Sequence, residues 1–213
     1  EIHGAEKTHY TNGKLREQTS YFNGKLDGES KEWDRYGQLK MCNNYANGVQ
    51  HGEYKSWYYN GQLEELCSYV NNKIEGAYKS WHENGQLRGH CNYINNRREG
   101  KFNEWYENGQ LKLQCTFVGS KKNGEIKKWY DNGQLKRLGN VINGKENGEV
   151  KEWHDNGQLK HLNLYVDGKQ HGEQKSWYDN GQIESQFNMR DGAYFGEEKR
   201  WLENGKKRGT IHH

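Results

Sequence analysis

The eight tryptophans of the chain stand at Trp33, Trp57, Trp81, Trp105, Trp129, Trp153, Trp177 and Trp201, 24 residues apart every time. A fixed period of that size marks a stack of equivalent supersecondary units, because a mixed globular domain has no reason to space one residue type so evenly. The segment KSWYYNGQLEEL at 55–66 returns as KEWDRYGQLKMC at 31–42, NEWYENGQLKLQ at 103–114 and KSWYDNGQIESQ at 175–186. Two glycine series keep the same phase, one running from Gly4 through Gly52 and Gly76 to Gly196, the other from Gly13 through Gly61 and Gly85 to Gly205.

Within one unit the pattern is that of a β-hairpin. Side chains alternate along Tyr54, Ser56, Tyr58 and along Leu63, Glu65, Cys67, Tyr69, the period-2 pattern of strands. Two glycines and several asparagines per unit disfavour helix. Asn60-Gly61 between the two runs suits a two-residue type I′ turn, which needs φ > 0 at both positions. That turn places Tyr58 opposite Leu63, Tyr54 opposite Cys67 and Gly52 opposite Tyr69. A four-residue turn at 71–74 then places Tyr69 opposite Gly76, so that each Tyr ring covers two strand glycines. Equivalent residues lie two strands apart, about 9–10 Å.

Two faces follow from this register. One gathers Tyr or His with Leu, aromatic or aliphatic residues with Cys, and Gly with Tyr, and reads as the buried face. The other carries Trp beside Lys40, Glu64, Arg88, Lys112, Lys136, Lys160 and Glu184, which predicts cation–π stacking on the indoles. A three-residue turn with a bulge is the competing register. It puts Trp57 opposite Leu63, on the core side.

Composition excludes several functions. With 32 basic and 29 acidic residues the net charge is +3, the signs are interleaved, and nothing resembles a nucleic-acid-binding tail. No run of apolar residues is long enough to span a membrane. The opening EIHGAEKTHY does not read as a signal peptide, and four cysteines without an N-x-S/T sequon suggest a reducing, intracellular setting. Absence of proline with abundant asparagine suggests an AT-rich genome, bacterial or of a large DNA virus. Cys67, Cys91 and Cys115 share one phase, so at about 9–10 Å apart they can neither share a zinc nor pair as disulfides. They read as small core residues, and Cys42, one position out of phase, as facing the other side. The histidines show no H-E-x-x-H or H-x-H spacing. No metal, cofactor or catalytic residue is expected.

The repeated pattern G-E-Y-K-x-W-Y-x-N-G-Q-L, closed by Y-x-N-G-K-x-x-G, resembles the MORN repeat, and more closely the bacterial-type variant of YwqK-like proteins described as antitoxins. The resemblance covers residues 4–209. It implies an all-β fold, an elongated single-layer antiparallel sheet of about nine 24-residue β-hairpin repeats, forming a single repeat domain over 1–213. It also implies binding or scaffolding duty, with lipid binding and self-association among the family's roles. The ends depart from the pattern, His9 replacing Trp and Lys207 replacing Leu, as polar capping units do.

The expected function is a non-enzymatic scaffold for protein–protein interaction, self-association through edge strands included. Its candidate contacts are Trp57, Trp81, Trp105, Trp129, Trp153 and Trp177 with Lys55, Lys79, Lys127 and Lys151. The alternatives are a module for glycans or anionic lipid headgroups, or antitoxin-like capture of a toxin.

Overall fold

The computed structural model describes residues 3–213, and among them there are 23 β-strands and no helix. The chain divides into two compact units, one of residues 1–100 with 107–109, the other of 101–106 with 110–213. In each, consecutive strands pair antiparallel, hairpin after hairpin. In the first, Gly52–Trp57 pairs with Leu63–Val70, which pairs in turn with Gly76–Trp81. In the second, Gly124–Trp129, Leu135–Ile142 and Gly148–Trp153 repeat the arrangement.

The predicted register holds over most of the hairpin. Gly52 faces Tyr69 and Tyr54 faces Cys67, and Gly124 faces Val141 as Gly148 faces Tyr165. The turn chemistry is different. Tyr58 N donates to Gln62 O (2.9 Å) and Gly61 N to Tyr58 O (2.9 Å), so the loop has three residues, 59–61. Only Gly61 takes positive φ (85°), and Asn60 stays outside the left-handed region. This is a type I turn closed by a glycine bulge rather than type I′. The register therefore shifts between Ser56 and Trp57. Ser56 faces Glu65 but Trp57 faces Leu63, so Glu64 becomes an extra residue on its strand. At the turn end of the hairpin the competing register holds.

The type I′ turns sit at the other end of each unit. Asn71 (φ 49°) and Asn72 (63°) form one, as do Asn143 with Gly144 and Asp167 with Gly168. The loop is thus two residues rather than four: Val70 faces Lys73 and Tyr69 faces Ile74. Gly76, at φ 81°, is not the partner of Tyr69 but part of a bulge. Beyond it Glu65 faces Ser80 and Leu66 faces Lys79, the register expected from a 24-residue closure.

The turns are tied from one repeat to the next. Asn60 Oδ1 accepts the Gln62 amide (3.0 Å) while its Nδ2 donates to Glu83 O (2.6 Å). Asn12, Asn132 and Asn156 reach Arg35, Asp155 and Asp179 in the same way. The N-G-Q sequence is therefore a structural motif. Asn bridges two turns, Gly supplies the left-handed residue, and Gln lies against the next Gly, with Gln110 Oε1 3.0 Å from where a Gly133 Cβ would stand.

The core is thin and lies on the predicted face. Cys67, Cys91 and Cys115 are each 2 % exposed. Edge-on aromatic pairs flank them: Tyr54 with Tyr69 at 6.0 Å, Tyr78 with Tyr93 at 5.6 Å and Phe102 with Phe117 at 5.7 Å. In the second unit Cys115, Phe117, Ile126 and Val141 form one buried cluster, with Phe102 and Leu113 against it. Burial pushes the Cys67 thiol up to about 11, so it stays protonated near neutral pH. Cys42 is half-buried and faces Lys31 and Lys55.

Two outcomes are expected. Gly133→Ala should lower the chemical-denaturation midpoint, because a non-glycine residue at this φ costs about 1–3 kcal/mol. An aromatic disulfide reagent at pH 8 should label Cys42 first, and Cys67, Cys91 and Cys115 only as the protein unfolds. Equal labelling rates for all four cysteines would contradict the assigned core face.

Candidate interaction surface

The candidate tryptophans gather on the face opposite the cysteines. Trp57 follows Ser56 and so turns to the far side, where Leu63 is its cross-strand partner. Trp81 pairs with Leu87, Trp129 with Leu135, Trp153 with Leu159 and Trp177 with Ile183. These indoles are all half-buried, as is Trp105. Each of the paired indoles thus has a leucine or isoleucine as its cross-strand neighbour.

The cations expected on the indoles lie elsewhere. The bulge carries position 64 and its equivalents to the cysteine face. There Lys40 Nζ bonds Glu32 (2.7 Å), Lys112 Nζ bonds Glu104 (2.7 Å) and Ser56 Oγ donates to Glu64 Oε2 (3.3 Å). Lys112 Nζ stands 5.6 Å from the centroid of Tyr106, and Lys136 Nζ 4.9 Å from that of Tyr130. The cation–π contacts thus fall on tyrosine, because one extra residue per hairpin reverses the facing of the cation.

Those tyrosines have a second role. Tyr58 donates its hydroxyl proton to Trp81 O (2.8 Å), Tyr106 to Trp129 O (2.9 Å), Tyr130 to Trp153 O (2.8 Å) and Tyr178 to Trp201 O (2.9 Å). His154 takes the same place, with Nε2 2.9 Å from Trp177 O. A carbonyl only accepts, so Nε2 carries the proton. Burial holds the phenols of Tyr58 and Tyr130 above their ordinary pKa, which keeps both as donors at neutral pH.

The candidate lysines lie beside the tryptophans on the same strands. Lys55 pairs with Glu53 (2.5 Å), Lys127 with Glu125 (2.6 Å) and Lys151 with Glu149 (2.6 Å), each two residues apart on one strand. Lys79 has Ala77 at the position of that glutamate and makes no ion pair among the described residues. Such exposed pairs contribute only about 0.2–1 kcal/mol each, but they leave this part of the face nearly neutral.

One row on this face escaped the sequence reading. Val118, Ile142 and Val166 in the second unit are 53 %, 48 % and 56 % exposed, and Phe22, Val70 and Ile94 are similarly open in the first. Each immediately precedes a two-residue turn. The signal was present as an apolar residue at one phase of every unit from Phe22 to Val166, but alternation assigns only a face and not its exposure. Among the described residues no group of three or more His, Cys, Asp or Glu is placed to hold a metal ion. No helix is long and apolar enough to cross a membrane.

A family model described as a MORN repeat variant matches residues 2–23, 50–71, 74–95, 98–118, 122–143, 146–167 and 170–191. No curated protein matches the sequence. Two solved structures share a local likeness, the TcdB2-TccC3 and TcdB2-TccC3-Cdc42 complexes, each 11 % identical over 92 % of this chain, with TM-scores of 0.26 and 0.25. This chain spans 13 % of the length of the matched chain in each, and nothing about its function follows from them.

Replacing Tyr130 by Phe removes one inter-repeat hydroxyl bridge and keeps the ring under Lys136. The expected loss of stability is about 0.5–1.5 kcal/mol, read as a lower denaturation midpoint with an unchanged β-sheet circular-dichroism spectrum.

Proposed function

The chain belongs to the MORN repeat variant family, whose repeats commonly serve as protein- or membrane-interaction scaffolds, and from that premise we propose that it is a non-enzymatic scaffold that binds another protein along the face carrying its Trp and aliphatic rows. The observation that carries this reading is the row of Val118, Ile142 and Val166, each about half exposed at the same phase of successive repeats. Isolated exposed apolar residues are ordinary. A phased row of them, on the face that also carries the half-buried indoles, forms a repeated shallow contact. Covering each remaining half of such a side chain is worth about 1 kcal/mol, so useful affinity arises only by summing over several repeats. Trp57, Trp81, Trp105, Trp129, Trp153 and Trp177 would then act mainly by supporting this face.

Charge differs between the two ends of this face. At the tryptophan end Lys31, Lys55, Lys127, Lys151 and Lys175 each pair with the glutamate two residues before them, whereas across from the aliphatic row stand Lys73, Lys121, Lys145 and Lys169, of which only Lys145 makes an ion pair among the described residues.

Affinity capture from the source cell with quantitative mass spectrometry tests the proposal. A partner held by the wild type should drop at least about tenfold with Val118→Lys/Ile142→Lys/Val166→Lys, as expected when several contacts of about 1 kcal/mol are lost together, while the circular-dichroism spectrum is kept. Equal capture by the variant would contradict the assignment. Salt-sensitive binding of the wild type to phosphatidylserine vesicles would favour the membrane reading instead.

A further inference from the structure

Two residues of the first unit break the repeat pattern without any need of the hairpin. Asp34 stands where Tyr10, Tyr58, Tyr106, Tyr130 and Tyr178 stand in other repeats. Tyr59 stands in a row that is otherwise Thr11, Arg35 or acidic, as in Glu83, Asp131, Asp155 and Asp179. Both line one cleft of 370 Å³, together with Glu32, Trp57, Tyr58 and Glu64. We propose that this cleft binds a primary alkylammonium group.

The cleft is wider than its counterpart because a ring is missing, 370 Å³ against 140 Å³ where Tyr130 stands. The tyrosine bridges run from 10 to 33 and from 58 to 81. Aspartate, an acceptor only, cannot continue them from 34 to 57. Lys40, whose counterparts lie over Tyr106 and Tyr130, has no ring beneath it here and keeps the bond to Glu32 (2.7 Å) that Lys112 makes with Glu104.

Asp34 is only 7 % exposed. Its Oδ1 accepts the amides of Tyr36 (2.8 Å) and Gln38 (2.9 Å), and its other oxygen has no partner among the described residues. No enclosed side-chain oxygen is left unpartnered among those residues. That second oxygen is therefore open to solvent, where Asp34 borders both this cleft and a neighbouring hollow lined by Tyr10, Arg35, Tyr36, Lys40 and Tyr59.

Charge and shape agree on the ligand. Glu32, Asp34, Glu64 and Glu83 line the cleft against a single ammonium, Lys40, which Glu32 already holds. The fold does not require this sign. The corresponding hollow in the second unit carries Lys128, Lys136, Arg137 and Lys160 against Glu152 alone. Carboxylates beside Tyr58 and the 80 %-exposed Tyr59 form a site for an organic cation, drawn to the π-faces and to the unpaired oxygen alike. A primary ammonium brings three donors to those acceptors, and its methylene arm can lie along the rings. The volume falls within the usual range of small-ligand sites, about 300–1,000 Å³.

The same chemistry is offered by a lysine side chain of another protein and by a free polyamine. Isothermal titration at low salt with Nα-acetyl-lysine amide and with spermidine separates them, the tighter probe identifying the source. Wild type should bind at one site. Asp34→Asn keeps the Oδ1 acceptor and loses the charge, and should weaken binding at least about tenfold, as loss of a charge-assisted contact does. Asp34→Tyr restores the residue of the other repeats, fills the cleft and should abolish binding without lowering the melting temperature. The proposal is overturned if neither probe saturates at one site, or if both variants bind as the wild type does.

Discussion

Left-handed backbone at fixed points in each 24-residue unit is the constraint from which the other features follow. A hairpin chain can repeat without drifting only if what one turn adds to the register another feature removes. Here Gly61 closes a three-residue loop, a two-residue turn at Asn71-Asn72 reverses the chain, and Gly76 absorbs the remainder in a bulge. All three need φ > 0, which glycine adopts freely and asparagine tolerates. That requirement explains why glycine and asparagine keep phase as strictly as tryptophan does.

Once the backbone repeats, side chains fall into rows, and each row has one environment. A small residue fits under the aromatic pairs, hence cysteine at 67, 91 and 115. A hydroxyl or imidazole reaches the carbonyl of the next Trp residue, hence Tyr or His at 58, 106, 130 and 154. An amide bridges successive turns, hence Asn at 60, 132 and 156. Stability comes from nearest-neighbour contacts of this kind rather than from a thick apolar centre, consistent with a chain that is only 31 % hydrophobic.

Much of this was legible in the residues. Alternation and glycine phase suffice to pair Gly52 with Tyr69 and Tyr54 with Cys67, and to bury the cysteines. The turn at Asn60-Gly61 was not, because Asn-Gly serves a type I′ turn and a type I turn with a glycine bulge equally well. The choice shifts one residue, and with it the partner of Trp57 and the face of Lys112 and Lys136. Lys145 and Asp167 show the same limit on the surface: their ion pair (2.9 Å) joins positions 22 residues apart, a spacing that only the true closure brings together. The exposed row at Val118 and Ile142 was equally hidden, since a pattern of alternation cannot say that nothing lies above a residue near a turn.

The two sides of the sheet thus carry different tasks. The cysteine side holds the repeats together and, where Asp34 interrupts the tyrosine row, opens a cleft. The tryptophan side carries ion-paired lysines near the indoles and, at the other end of the strands, a phased aliphatic row faced by Lys73, Lys121, Lys145 and Lys169. Both assignments depend on the bulge between Ser56 and Trp57. Interstrand nuclear Overhauser effects test it most directly. The structure predicts Ser56 with Glu65 and Trp57 with Leu63, whereas a cross-peak pattern pairing Trp57 with Glu64 would mean an uninterrupted register and would reverse the faces assigned to tryptophan and cation.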